Sequence, residues 1–144
     1  MRIIFFESNR DLFEEALKIR RKVFIEEQGV SEEDEMDGKD SEALHVLLET
    51  SGKFVGVARV RKIDRDTFKI ERVAILKEER NKGYGRHLMK EIEKEIVTRG
   101  AKRIVLNAQV RVKGFYEKLG YTVVGDIFYE ANIPHVKMVK VVGG

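Results

Sequence analysis

The amino-acid sequence predicts an α+β fold, an α/β sandwich in which helices flank one mixed, mostly antiparallel sheet. Two patterns carry that expectation. Short β-rich segments joined by turn residues recur between Ala43 and Leu76, as successive hairpins require. One strand-helix-strand stretch, from Phe68 to Gln109, supplies the crossover that places two strands of the same sheet in parallel. A chain of 144 residues can bury roughly two thirds of its unfolded surface around a single core, so residues 1–144 are read as one domain.

Each element follows from its local pattern. Met1 to Glu7 reads as a short strand. Ser8 or Asn9 can cap a helix whose apolar positions, from Leu12 to Phe24, recur at helical spacing, with Gly29 as its stop. Arg20, Arg21 and Lys22 on that helix read as a solvated face or the flank of a cleft. From Ser31 to Asp40 the chain is strongly acidic, which fits a solvated loop or a rim that steers a cationic acceptor; Asp37 and Asp40 are the residues to test. Ala43–Thr50 and Phe54–Ile63 form a hairpin about Ser51-Gly52-Lys53, and Phe68–Leu76 adds a third strand after Asp64-Arg65-Asp66. A helix from about Tyr84 to Arg99 ends at Gly100, a strand spans Arg103–Gln109, and a short helix spans Val112–Leu119 before Gly120. Tyr121–Val124 and Val136–Val142 supply the last strands, separated by a loop that carries Ile133-Pro134-His135.

Composition excludes several classes of function. The chain has no Cys, which removes disulfides, thiolate metal ligands and a cysteine nucleophile together. No apolar run reaches the length of a membrane span, and Met1 to Phe6 is too short and too soon charged for a signal peptide, so no membrane partner and a cytoplasmic location are expected. The net charge of +3 is the difference between 28 basic and 25 acidic residues, interleaved along the chain, which argues against a nucleic-acid partner. No calcium-loop spacing is present in the acidic segment, and no metal is expected.

The chemistry concentrates in Glu79-Arg80-Asn81-Lys82-Gly83-Tyr84-Gly85-Arg86-His87. Two glycines stand one residue apart before a helix, where unpaired backbone N–H groups and the positive end of the helix dipole point outward together. Arg80, Lys82 and Arg86 add full charges, so the expected guest carries several negative charges, as a pyrophosphate does. A Walker A loop needs Gly-Lys followed by Ser or Thr, and Gly85 is followed by Arg86 and His87. A dinucleotide fingerprint needs a third small residue where Leu88 stands. Neither pattern fits.

Arg80-x-x-Gly83-x-Gly85 resembles instead the acyl-CoA pyrophosphate loop of the GNAT (GCN5-related N-acetyltransferase) superfamily. Further segments match that pattern in order, from about Arg20 to Met138. Ile70 to Ile75 resembles the family's central strand, and the resemblance implies that backbone at Val73 and Ile75 binds the pantetheine arm. Leu106-Asn107-Ala108-Gln109 resembles the strand that diverges from it to admit the thioester, and Phe115-Tyr116-Glu117-Lys118-Leu119-Gly120 resembles the helix that bears a catalytic tyrosine. The implied donor is acetyl-CoA as cosubstrate, held by Val73, Ile75, Arg80, Lys82, Gly83, Tyr84, Gly85, Arg86, Asn107 and Phe115. The implied activity is N-acetyl transfer to an amine acceptor, and the family often dimerises, so a homodimer is compatible. A non-catalytic acyl-CoA sensor on the same fold is the rival. The pattern Glu35-x-Asp37-x-x-Asp40 preceded by Arg21-x-x-Phe24 also resembles acyl-homoserine-lactone synthases.

Acetyl transfer needs a polarised carbonyl, a deprotonated amine and a proton for the leaving thiolate. Strand N–H groups near Val73 can serve as oxyanion donors. Tyr116 can protonate the thiolate, although it also fits as an ordinary aromatic beside Phe115. On a regular strand Glu71 shares a face with Val73 and can act as base, or can simply be paired with Arg59 or Arg72. His45 and His135 are further candidates because imidazole titrates near neutrality, and strand histidines are more often structural. With no cysteine to carry the acetyl group, direct transfer in a ternary complex is expected.

Overall fold

The computed structural model describes residues 1–143 as β1 (Arg2–Phe6), α1 (Arg10–Arg20), α2 (Glu32–Glu35), β2 (Leu44–Thr50), β3 (Lys53–Lys62), β4 (Thr67–Ile75), α3 (Tyr84–Thr98), β5 (Arg103–Gln109), α4 (Lys113–Lys118), β6 (Thr122–Glu130) and β7 (Ile133–Val141). The strands form one mixed sheet in the order β1-β2-β3-β4-β5-β7-β6. Only β4 and β5 run parallel, joined through α3, so the fold is the α+β arrangement that the hairpins and the crossover predict.

One face of the sheet is covered by α3. Its Leu88, Met89, Ile92 and Ile96 are fully buried at helical spacing against Val46, Leu48, Val60 and Ile104. Each such side chain contributes about 1.5–3 kcal/mol on leaving water. The opposite face packs Ala16, Ile19 and Val23 of the first helical segment on Leu47, Val57 and Ala74. Asn9 caps α1 by accepting the Leu12 N–H at 3.0 Å. The helix does not continue evenly to Gly29: from Arg21 to Glu27 it widens into π-helical turns, with the Gln28 N–H donating to the Val23 carbonyl at 3.2 Å.

Two departures from regular geometry shape the cleft. In β4, Ala74 opposes Val57 and Glu71 opposes Arg59, so Arg72 and Val73 together face Ala58 alone. This bulge puts Arg72 at φ +55 and breaks the alternation, which overturns the expectation that Glu71 and Val73 share a face. At the other end of the chain, β6 and β7 pair from Glu130 and Ile133 onward about Ala131 and Asn132, whose φ values are +49 and +62. Ile133-Pro134-His135 is therefore the start of a strand and not a loop. Pro134 is tolerated there because it stands at the second residue of β7, where few ladder bonds are required of it.

Candidate active site

The cleft opens where the sheet stops pairing. β4 and β5 are in register only through Thr67–Lys69 and Arg103–Val105; beyond these residues their facing edges part. The remaining backbone of β4 up to Ile75, and of β5 from Leu106 to Gln109, is left without a strand on that side, an edge that an extended ligand can join by main-chain hydrogen bonds. The gap widens into a cavity of about 860 Å³ that reaches the glycine loop. A cavity of that size lies in the range that holds drug-sized and cofactor-sized ligands. Glu71, Val73, Ile75, Arg80, Gly83, Tyr84, Gly85, Arg86, Asn107, Phe115 and Tyr116 all line it, and Lys82 does not.

At the glycine loop, Gly83 adopts φ +83 and α3 begins with no side-chain cap. The first intrahelical bond runs from the His87 N–H to the Gly83 carbonyl at 3.1 Å, so the N–H groups of Tyr84, Gly85 and Arg86 precede the helical ladder and are available to an anion. Gly85 is required for a different reason. A Cβ there would stand 3.3 Å from the ring of Phe115, which packs α4 against the loop. The three cations are not equivalent. Lys82 is exposed and paired with Glu79 at 3.0 Å. Arg80 donates to both Glu27 oxygens at 2.5 and 2.8 Å and to the Ile75 carbonyl at 3.0 Å, and its hydrogen bonds hold the Glu27 carboxyl below its usual range. Glu27 therefore fixes the loop to the widened helical segment, and Gln109 at the end of β5 donates to Gln28 of the same region at 2.8 Å.

Behind β4 lies a network of buried charge, which contains the Glu71–Arg59 pair that the sequence offers as an alternative and extends well beyond it. Arg59 is fully buried and donates to Asp37 at 2.8 Å, to Asp40 at 3.2 Å and to Glu71 at 3.0 Å. Arg20, only 1% exposed, binds Glu35 at 2.6 Å and Asp40 at 2.7 Å. Arg72 reaches back from the bulge to Glu35 at 2.7 Å and Asp37 at 3.3 Å. The acidic segment borders the cavity, yet Glu35, Asp37 and Asp40 serve as counterions there; they are not a free steering rim. Hydrogen bonds from Arg59 hold the Asp37 carboxyl well below its ordinary value. Asp37→Asn is accordingly expected to lower the melting temperature by several degrees, read by calorimetry. A change confined to the Michaelis constant of a cationic acceptor, with no loss of stability, would restore the steering reading.

Glu71 sits in the same network. Burial alone would push its carboxyl up, but Arg61 at 2.7 Å, Arg59 and Lys69 at 3.3 Å outweigh burial and hold its pKa at about 2. Tyr116 is buried, with its ring edge-on to Phe115 and Tyr121, and burial pushes its phenol up to about 12. Asn107 donates to Glu130 at 3.2 Å across the β5–β6 side of the cavity. His45 lies away from the cavity, stacked on Phe6 and edge-on to Phe13, and its Nε2 donates to the Asp40 carbonyl at 2.9 Å. It anchors the acidic segment. No helix among the described residues is long and apolar enough to cross a membrane.

A parted parallel strand pair that opens on a glycine loop and an uncapped helix forms a ligand cleft of the kind an extended anionic molecule can fill, and comparison with known proteins gives the class of fold. Residues 10–142 match the family model of the acetyltransferase (GNAT) domain. The uncharacterized N-acetyltransferase YjcF of Bacillus subtilis is 38% identical over 133 residues, covering 92% of this chain and 94% of its own. The crystal structure of Escherichia coli ElaA superposes with a TM-score of 0.85 at 26% identity, over 97% of this chain and 99% of that one. An aminoglycoside 6'-N-acetyltransferase complexed with coenzyme A shares the fold at a TM-score of 0.79 and 20% identity, over 98% and 97% of the two chains. The chain belongs to the GNAT acetyltransferase family.

Proposed function

We propose that the protein transfers an acetyl group from acetyl-CoA directly to an amine acceptor within a ternary complex. The observation that carries this reading is the continuity of one cavity from the uncapped start of α3, past the unpaired edges of β4 and β5, to Tyr116. The pyrophosphate binds the N–H groups at Tyr84 to Arg86 with Arg86 as the cationic side chain, and the pantetheine arm lies along the β4 edge at Val73 and Ile75. Unpaired β4 amides beside the bulge polarise the acetyl carbonyl, and Tyr116 donates to the leaving sulfur. The absence of cysteine, the side chain that most readily carries an acetyl group, supports direct transfer.

The loop tests this reading. Gly83→Val places a β-branched residue at φ +83, a conformation that strains it whatever the free space around it. The loop should then lose the N–H arrangement that holds the pyrophosphate. Isothermal calorimetry should show acetyl-CoA affinity falling more than tenfold, which corresponds to about 1.4 kcal/mol, while circular dichroism retains the wild-type spectrum. Unchanged affinity in a folded Gly83→Val protein would remove the basis of the assignment.

A further inference from the structure

Deprotonating the acceptor amine is the step for which most carboxylates of the cavity are poorly suited. Asp34 and Glu130 are exposed and make no ion pair among the described residues, whereas Glu71 is held by three cations, Glu35 by Arg20 and Arg72, Asp37 by Arg59 and Arg72, and Glu79 by Lys82. A carboxylate already neutralised in this way has little affinity for a further proton. We propose that His135 is the general base of the transfer reaction. This inference rests on the acetyltransferase reading above and adds to it the group that accepts the proton.

His135 is only 8% exposed and lines the same cavity as Tyr116 and Asn107. β7 puts it opposite Gln109, the last residue of the diverging strand β5, and β6 puts Phe128 on its other side, with the two rings stacked at 5.9 Å. Its Nδ1 lies 2.7 Å from the Ile133 carbonyl oxygen. A carbonyl can only accept, so Nδ1 carries the proton, and the neutral ring keeps its lone pair on Nε2. The hydrogen bond fixes both the tautomer and the ring plane. It also strengthens when the ring becomes charged, because an imidazolium donates more strongly than an imidazole. His45, the other buried strand histidine, has the opposite arrangement: its Nε2 is occupied by the Asp40 carbonyl and its ring lies between two phenylalanines.

The proton balance is as follows. The acceptor ammonium gives one proton to His135 Nε2, and the free amine nitrogen forms a bond to the acetyl carbon. The carbon–sulfur bond then breaks. The nitrogen loses its second proton as the amide forms, and the sulfur gains one to leave as the thiol, so one net proton passes through His135 to solvent. Charged groups on the neighbouring elements that share the cavity are Glu130 on β6 and Arg111 just after β5, with the neutral Gln109 and Gln28 also present. Lys137 follows on β7 and is exposed.

His135→Asn is the informative variant, because the Asn amide can still donate to the Ile133 carbonyl while the basic Nε2 is gone. The assay is release of CoA thiol with spermidine, kanamycin and a lysine-containing peptide as probe amines. With any probe that wild type acetylates, His135→Asn should lose about a hundredfold in kcat/KM for the amine near neutral pH, with acetyl-CoA affinity unchanged by calorimetry. The deficit should shrink as pH rises toward the pKa of the amine, since a free amine needs no base. Nitrogen NMR of the histidine rings in the wild-type protein should show His135 as the Nδ1–H tautomer. A normal rate in His135→Asn, a deficit that does not change with pH, or the Nε2–H tautomer would overturn the role of His135 and leave the transferase reading intact. A wild-type protein that binds acetyl-CoA but acetylates none of the probes would overturn both.

Discussion

Arg59→Ala should lower the free energy of unfolding by about 3–5 kcal/mol, because it leaves Asp37, Asp40 and Glu71 around a buried site without their shared cation. Of the remaining partners, Arg20 is itself buried but committed to Glu35 and Asp40, and Arg72, Arg61 and Lys69 are more exposed and cannot replace a fully buried guanidinium. Urea denaturation at neutral pH measures the loss. The pH dependence gives a second, independent check. The folded pKa of Glu71 is about 2 against an ordinary value of 4.5, so the carboxylate contributes about 3 kcal/mol that is fully present above pH 4.5 and is lost as pH falls toward 2. Asp37 is shifted in the same direction. Wild type should therefore weaken steeply over that window. Arg59→Ala, whose carboxylates protonate more readily, should show a flatter curve. A variant as stable as wild type, or parallel pH curves for the two proteins, would contradict this account of the network.

This network also marks the limit of what the sequence made legible. The hairpins between Ala43 and Leu76, the crossover, the glycine loop and α3 each carry a local signal, a turn sequence or a periodicity of apolar residues, and each is found where that signal puts it. Arg20 reads as solvent-facing because nothing within one helical turn neutralises it; its partners Glu35 and Asp40 stand 15 and 20 residues away. The β4 bulge was invisible because Arg72 takes a positive φ with no glycine to announce it, its guanidinium being tied to Glu35 and Asp37. The turn at Ala131 and Asn132 likewise lacks glycine, and Pro134 suggested a loop where a strand begins. His135 is among the candidate bases that the sequence offers, but a histidine in a loop has no fixed tautomer. A histidine opposite the end of the diverging strand does.

Tyr116→Phe should reduce turnover by about a hundredfold or more while acetyl-CoA affinity stays nearly constant. The substitution removes one hydroxyl and keeps the ring that packs edge-on against Phe115 and Tyr121, so the fold and the cavity wall should survive. With its phenol pushed up to about 12 by burial, Tyr116 stays protonated throughout the physiological range and is always able to donate. The same value restricts how it acts. Full proton transfer from such a phenol to a thiolate with a pKa of about 8.5 is uphill by roughly 5 kcal/mol, so the contribution comes from a hydrogen bond that strengthens as negative charge develops on sulfur. The rate should therefore depend on the basicity of the leaving thiolate. A less basic leaving group needs less help, and acetyl thioesters of progressively more acidic thiols should narrow the gap between wild type and Tyr116→Phe. A variant with near-full turnover at saturating acceptor, or a constant deficit across thiols of different acidity, would assign the proton to solvent and leave Tyr116 as part of the cavity wall.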